Sequence, residues 1–131
     1  MGLTTEDQLE IQGLAARYNH AIDSGDADGF CGVFVENGVL DAGVVQVEGH
    51  AALKEFAVNF ASSTHAPRHV ATNLVIEGDG DQATLKAYIH MYVLAGDPPQ
   101  QTITVGGTYD DVLRKEDGRW KFVHRHFTAD T

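Results

Sequence analysis

Hydrophobic positions recur at two different spacings along the chain, and the change of spacing divides the chain into two halves. In the first half, apolar residues recur every three or four positions over about 5–24 and 51–62, which predicts two amphipathic helices. In the second half, apolar and polar residues alternate, which predicts long strands over about 68–77, 82–94, 101–114 and 120–128. This segregation favours an α+β domain with helices packed on one face of a mostly antiparallel sheet.

Shorter elements are predicted between the two amphipathic helices. An aspartate-capped second helix is expected to extend to Phe34, and an Asn37-Gly38 turn is expected to lead into a short strand at 39–41. Residues 44–47 are the expected hairpin partner of that strand. A long antiparallel sheet twists and curls, so three helices laid across it would form a cone-shaped α+β barrel that encloses a ligand pocket.

Composition narrows the class of protein and its partners. The 131 residues fit a single domain spanning 1–131, and the formal charge of −10 makes nucleic acid and anionic membranes poor partners. No apolar stretch approaches the ~20 residues that a membrane-spanning helix needs, and no signal peptide is recognisable. Cys31 is the only cysteine, which excludes an intrachain disulfide. We therefore expect a cytoplasmic protein.

Two residues are candidates for proton transfer. Asp23 lies in the last turn of the first predicted helix, and His69 lies early in the first long strand. A carboxylate that accepts a hydrogen bond from one imidazole nitrogen fixes the tautomer and leaves the other nitrogen free to take a proton. The residues alone leave open a simpler interpretation, in which Asp23 begins a turn and His69 is an ordinary packed residue.

Four stretches of the chain resemble the SnoaL-like branch of the nuclear transport factor two superfamily. They are ARYNHAIDSGD at 16–26, GHAAL at 49–53, RHVATNL at 68–74, and YDD at 109–111 leading to DGRWKF at 117–122. The chain is most similar to the subgroup that contains scytalone dehydratase, hexachlorocyclohexane dehydrochlorinase and bile-acid dehydratase. The resemblance covers almost the whole length and implies the cone-shaped α+β fold.

The resemblance also implies a chemistry. In the enzymes of this subgroup, an Asp late in the first helix orients a His that removes a proton, and Asp23 and His69 match those positions. It therefore implies a base and a residue that orients it, but not the substrate. On this basis we expect a cofactor-independent lyase or isomerase, and we expect its substrate to be a small, mostly apolar molecule of the polyketide, steroid or terpenoid type. A homo-oligomer is expected because the outer face of the curled sheet carries apolar side chains that need cover, and the related dehydratases favour a trimer over a dimer. No cofactor is expected.

Further residues are candidates for contacts with the substrate. Tyr18, Phe60 and Tyr109 are candidates for the cavity wall. Tyr18 and Tyr109 could equally be core residues, and for Phe60 core packing is the favoured interpretation. Arg125 is the candidate for binding a leaving group or an oxyanion, but strand alternation places it opposite His124 and His126 and leaves its direction open. For the strand over 82–94 we favour the apolar face inward, which would place His90 outside the pocket.

Other functions are also compatible with this fold, because a fold alone does not determine an activity. One alternative is a non-catalytic ligand-binding module, in which the two dyad residues would not touch or the cavity would be filled. Another is an epoxide hydrolase or cyclase, for which Asp111 is the main additional carboxylate. The pair His124 and His126 could chelate a metal, but no third ligand follows at a suitable spacing, so no metal is expected.

Overall fold

A computed structural model describes residues 2–131. The described part contains three helices packed on one curled sheet of six strands. The helices are α1 (Thr5–Ser24), α2 (Ala27–Gly32) and α3 (His50–Ser63). The strands are β1 (Phe34–Asp41), β2 (Gln46–Glu48), β3 (Arg68–Asp79), β4 (Gln82–Ala95), β5 (Gln100–Glu116) and β6 (Arg119–Ala129). The α+β class, the element order and the enclosing arrangement predicted from the sequence are confirmed.

Helix α1 is defined by strong signals at both of its ends. The Thr4 hydroxyl accepts from the Asp7 backbone N–H at 3.0 Å, and the Asp7 carboxylate accepts from the Thr4 backbone N–H at 3.1 Å. The helix ends at Gly25, whose φ of 76° is the left-handed conformation that glycine adopts readily. Between these ends, Ile11 and Leu14 lie on the buried stripe that packs against the sheet.

The sheet has the strand order β2-β1-β6-β5-β4-β3. All neighbouring strands are antiparallel except β1 and β6, which are parallel. Alternation along β4 places Leu85, Ile89 and Met91 inside, whereas His90 lies exposed on the outer face, as the sequence pattern predicted. No helix in the described part of the chain is long and apolar enough to cross a membrane.

The segment after α2 differs from the sequence prediction. Phe34 was expected in the second helix and Asn37-Gly38 in a turn, but β1 begins at Phe34 and runs through both. The reason is tertiary pairing: Phe34 pairs with Phe122 of β6 and is fully buried. The register shifts after Phe34, and a Cβ at Gly38 would lie 2.8 Å from the Phe34 Cβ, so a glycine allows this close approach.

The hairpin partner of β1 is also displaced from its predicted position. The sequence pattern placed it over 44–47, but β2 covers Gln46–Glu48. Val44 is 98% exposed and lies in the turn that follows β1, where the backbone N–H of Ala42 donates to the Val45 carbonyl. The apolar character of Val44 therefore does not reflect burial in a strand.

Aromatic rings fill the core between α1, α2 and the inner face of the sheet. Tyr18 contacts Phe30, Phe34 and Phe122, with ring centroids 5.0, 6.1 and 5.9 Å away. Such pairs stabilise a core beyond the apolar area that they bury. This cluster holds α1 against the sheet, and it therefore places the last turn of α1 over the start of β3.

We predict that two leucines of α1 respond differently to truncation. Leu14 is 1% exposed and Leu9 is 63% exposed. Leu14→Ala should lower the free energy of unfolding by about 2–5 kcal/mol, because it leaves a cavity in the core. Leu9→Ala, the matched control in the same helix, should change it by less than about 0.5 kcal/mol. Urea titrations of both variants measure the difference, and equal losses would contradict the packing described for α1.

Asp7 provides a prediction for acid conditions. Its carboxylate accepts from the Trp120 indole N–H at 3.0 Å and from Lys115 Nζ at 3.1 Å. These bonds, with that to Trp120 as the largest cause, hold the pKa of Asp7 well below its usual value. A carboxylate whose pKa is lowered in the folded state stabilises the fold above its unfolded pKa, and this stabilisation is lost as the pH falls.

Asp7→Asn should therefore destabilise the protein at neutral pH, and the difference from the unmodified protein should shrink as the pH falls below the usual aspartate pKa. Denaturant titrations across the acid range measure this convergence. A difference that stays constant with pH would show that the lowered pKa of Asp7 does not contribute to stability.

Candidate active site

Asp23 and His69 form a two-point contact between α1 and β3. The carboxylate Oδ1 lies 2.6 Å from the His69 Nδ1, and Oδ2 accepts from the His69 backbone N–H at 2.8 Å. An ionised carboxylate can only accept, so Nδ1 carries the proton and donates it to Asp23. The side chains of His69 and Asp23 are 12% and 11% exposed. Asp23 thus fixes both the ring tautomer and the backbone position of His69.

The position of each residue follows from its element. Asp23 is next to Ile22 on the buried stripe of α1, so its carboxylate reaches the sheet rather than solvent. His69 is opposite Met91 in the pairing of β3 with β4, and Met91 belongs to the inner face of β4. Because directly opposite residues lie on the same face of a sheet, His69 also faces inward.

The His69 ring lines an apolar cavity of about 200 Å³. No described residue forms a hydrogen bond with its Nε2. The Phe60 ring lies beside the imidazole, with centroids 5.6 Å apart, and Phe60 also lines the cavity. The rest of the lining is Tyr18, Ile22, Leu40, Ala42, Phe56, Ile89, Met91, Val105, Tyr109 and Phe127. An unbonded imidazole nitrogen next to apolar space is well suited to take a proton from carbon.

Tyr18 and Tyr109 provide polar groups in this apolar wall. Their rings are 6.1 Å apart in an edge-on arrangement. Burial raises the pKa of both phenols above the usual value, although the positive charge of Arg125 opposes this in each case. Both hydroxyls are therefore protonated at neutral pH. The two tyrosines also interact by a side-chain hydrogen bond, so one hydroxyl proton lies between them and the other is left to donate to an oxygen in the cavity.

A second, more polar groove lies on the other side of the dyad, between α1 and β3. Its volume is about 530 Å³, and both Asp23 and His69 line it. Its polar lining residues outside the dyad are Gln12, Asn19, His20, Ser24 and Arg68. The dyad therefore lies between an apolar inner cavity and a polar outer groove.

Arg125 does not line the cavity, contrary to the expectation that it would bind the substrate directly. A bulge in β6 explains its position: Phe122 pairs with Leu113 and His124 with Val112, so Val123 is the additional residue. The bulge changes the phase of the alternation and turns Arg125 inward. There its side chain is 0% exposed, and Nε donates to Asp111 Oδ1 at 3.1 Å.

Asp111 is also removed from the cavity. It lies directly opposite Arg125 in the β5–β6 pairing, and its side chain is fully buried. Burial raises the pKa of Asp111 to about 6, and the opposing effect of Arg125 is smaller. Asp111 therefore cannot activate a water molecule in the cavity, and the epoxide hydrolase or cyclase hypothesis loses its main carboxylate.

The histidines of β6 lie apart from the dyad. The rings of His124 and His126 are 6.3 Å apart, and His124 Nε2 lies 3.7 Å from a carboxylate oxygen of Asp41. Within residues 2–131 there is no group of three or more His, Cys, Asp or Glu side chains placed to hold a metal ion. The described residues therefore provide no third ligand for a metal ion bound by His124 and His126.

The dyad, Phe60 and the two tyrosines were predicted from the sequence, but other parts of the cavity lining were not. Phe56 and Phe127 line the cavity, and the apolar stripe of α3 was the signal for Phe56. Phe127 faces inward because of the bulge at Val123, which simple alternation cannot reveal. The bond from the His69 backbone to Asp23 had no sequence signal either.

Comparisons with known proteins agree with this architecture. Residues 3–126 match the model of the SnoaL-like domain. A Mycobacterium tuberculosis protein of unknown function, Rv3472, is 32% identical with a TM-score of 0.92, covering 97% of this chain and 78% of its own. A candidate aromatic ring hydroxylase from Novosphingobium aromaticivorans is 30% identical with a TM-score of 0.86, covering 98% and 92%.

A third solved structure shows similarity of fold alone. It is a candidate scytalone dehydratase from Novosphingobium aromaticivorans, 20% identical with a TM-score of 0.83, and the match covers 95% of this chain and 84% of that chain. At this identity the similarity supports the arrangement of helices and sheet. It does not transfer a substrate or a reaction to this chain.

The geometry of the dyad predicts the tautomer of His69. Nitrogen NMR of the labelled protein should show His69 with its proton on Nδ1 at neutral pH. In Asp23→Asn, the amide oxygen would accept from the His69 backbone and the amide nitrogen would face Nδ1. The ring proton should therefore move to Nε2. The exposed His90 serves as the control in the same spectra, and an unchanged His69 tautomer in Asp23→Asn would contradict this geometry.

Proposed function

Because the chain belongs to the SnoaL-like domain family, we propose that it is a cofactor-independent lyase or isomerase acting on a small, mostly apolar substrate. His69 is the base in this proposal, and Asp23 is the residue that positions it. The observation that carries the proposal is the 2.6 Å contact between Asp23 Oδ1 and His69 Nδ1 at the wall of an apolar cavity. The proposed location is the cytoplasm.

The first proposed step is removal of a proton from a carbon next to a carbonyl group. His69 Nε2 takes the proton, the electron pair of the C–H bond forms a C–C double bond, and the carbonyl electrons move to its oxygen. The imidazolium that results lies against the Asp23 carboxylate, which stabilises its charge. Tyr18 or Tyr109 would donate a hydrogen bond to the negative oxygen.

The second step decides between elimination and isomerisation. In elimination, the carbonyl re-forms, a double bond forms between the neighbouring carbons, and the bond to a β-hydroxyl group breaks. The imidazolium returns its proton to that hydroxyl, which leaves as water. In isomerisation, the proton returns to a different carbon of a dienolate. Both routes restore neutral His69 without a cofactor or a redox partner.

Two features of the site support a small and mostly apolar substrate. The cavity of about 200 Å³ is smaller than most drug-sized ligand pockets, so it fits a single ring or a short chain. Its lining is apolar except for Tyr18, Tyr109 and His69. The polar groove beyond the dyad can hold any part of a larger substrate that carries hydroxyl or carbonyl groups.

The alternatives receive less support from this geometry. A non-catalytic binding module was expected to have a separated dyad or a filled cavity, but Asp23 contacts His69 and the cavity contains space. An epoxide hydrolase or cyclase requires a carboxylate that activates water, and Asp111 lies outside the cavity. The lyase or isomerase proposal requires only side chains that already lie at the site in this structure.

A homo-oligomer, with a trimer favoured, remains part of the proposal. The outer face of the sheet carries exposed apolar side chains that an assembly would cover: Val75, Tyr88, Ile103 and Val112. The dyad residues lie on the opposite, inner side of the sheet. Assembly through the outer face would thus leave the cavity intact.

Substitution of the dyad tests the proposed reaction. With β-hydroxycyclohexanone as a probe, the protein should accelerate formation of cyclohexenone, and in deuterated water it should accelerate exchange of the proton next to the carbonyl. Asp23→Asn and His69→Gln should each reduce both rates by about 10²–10⁴-fold, because each removes the oriented base. Ultraviolet absorbance measures the product, and mass spectrometry measures the exchange.

His90→Gln is the matched control, since it makes the same substitution at an exposed histidine on the outer face. Its rates should equal those of the unmodified protein. Circular dichroism confirms that each variant is folded. Undiminished rates in folded His69→Gln would refute the role of His69 as the base.

A further inference from the structure

Arg125 has surroundings that a packing role does not explain. Its guanidinium is 0% exposed and makes one hydrogen bond, from Nε to Asp111 Oδ1. Within the described residues, neither Nη1 nor Nη2 has a hydrogen-bond partner, and Asp111 Oδ2 has none. Burying hydrogen-bond donors without partners is unfavourable. The buried pair therefore makes the folded protein less stable than apolar side chains at the same positions would.

Three aromatic rings surround this buried cation. The guanidinium carbon lies 3.5 Å from the centroid of the Tyr109 ring, 4.3 Å from that of Tyr18 and 4.5 Å from that of Phe122. A cation over the face of an aromatic ring is attracted by its π electrons, and the attraction is strongest where water is absent. Tyr18 and Tyr109 line the cavity, whereas Arg125 lies behind them.

We propose that Arg125 is a positioning residue that acts through Tyr18 and Tyr109 and makes them a binding site for the oxyanion of an enolate. Its positive charge draws electron density from both phenol rings, which strengthens their hydroxyl groups as hydrogen-bond donors. Because Arg125 is shielded from water, its charge is not screened by solvent. The inference rests on the proposed function, since it names the group that the tyrosines stabilise during proton abstraction.

This role restricts the substrate class. A site built to stabilise a negative oxygen favours a ketone, an aldehyde or a thioester over a halide, because only the carbonyl compounds form an enolate oxygen when His69 removes a proton. Asp111 partly offsets the positive charge of Arg125. Its carboxylate lies outside the cavity that Tyr18 and Tyr109 line. Removing Asp111 should thus strengthen the effect of Arg125, whereas removing both charges should abolish it.

The test uses para-nitrophenol, a single-ring phenol whose anion mimics an enolate and absorbs visible light. In the unmodified protein, the ratio of bound anion to bound neutral phenol should exceed the ratio in solution at the same pH. The double variant Asp111→Leu with Arg125→Met replaces the buried pair by apolar side chains and should remain folded. It should reduce that ratio by about tenfold relative to the unmodified protein.

The single variant Asp111→Asn supplies the opposite expectation. It keeps Arg125 but removes the counter-charge, so the ratio of bound anion to neutral phenol should rise. His90→Gln is the control, since it changes an exposed side chain on the outer face, and its ratio should equal that of the unmodified protein. If Arg125 acted only by keeping the site folded, Asp111→Asn and the double variant would both lower the ratio. That result would overturn the proposal.

Two other results would also overturn the proposal: an unchanged ratio in the double variant, and a failure of the unmodified protein to bind the anion preferentially. Repeating the measurements in Asp23→Asn separates this inference from the proposed reaction. The effect of the double variant should persist in that background, because it requires the tyrosines and not the base. If Asp23→Asn retains full turnover while the nitrophenol results hold, the base assignment fails and the oxyanion site stands.

Discussion

The contact of one carboxylate with two groups of one histidine is the constraint on which the rest of the site depends. Asp23 accepts from the His69 side chain with one oxygen and from the His69 backbone with the other. This contact joins the end of α1 to the start of β3 and fixes the imidazole in one orientation. The aromatic core around Tyr18 holds α1 in the position that the contact requires. The same few interactions therefore stabilise the fold and position the proposed base.

The two sides of the cavity have complementary roles. His69, which Asp23 positions, lies on the wall that would accept a proton, and Tyr18 and Tyr109 lie on the wall that would donate a hydrogen bond to an oxygen. Abstraction of a proton next to a carbonyl requires both, because negative charge appears on oxygen as the proton leaves carbon. The buried Arg125 and Asp111 introduce charge near the tyrosines without exposing it to solvent, so the cavity itself stays apolar.

Much of this arrangement could be predicted from the sequence, and the exceptions share a cause. Helix α1 was predicted with its observed bounds, because the periodicity, the Thr4 cap and Gly25 agree. Asp23 and His69 were predicted as a pair from their residue types and the family resemblance. Phe34 was placed in the wrong element, because its pairing with β6 determines its position. The direction of Arg125 was left open, because a bulge at Val123 determines it. Local patterns do not encode such long-range pairing.

A crystal structure of the protein soaked with cyclohexenone tests the central claim most directly. The ring of this product should lie inside the apolar cavity, and the carbon next to its carbonyl group, from which the proton was removed, should lie about 3–3.5 Å from His69 Nε2. The carbonyl oxygen should accept a hydrogen bond from Tyr18 or Tyr109. A ring bound only in the groove between α1 and β3, or a carbonyl oxygen turned toward His69, would contradict the assignment of His69 as the base.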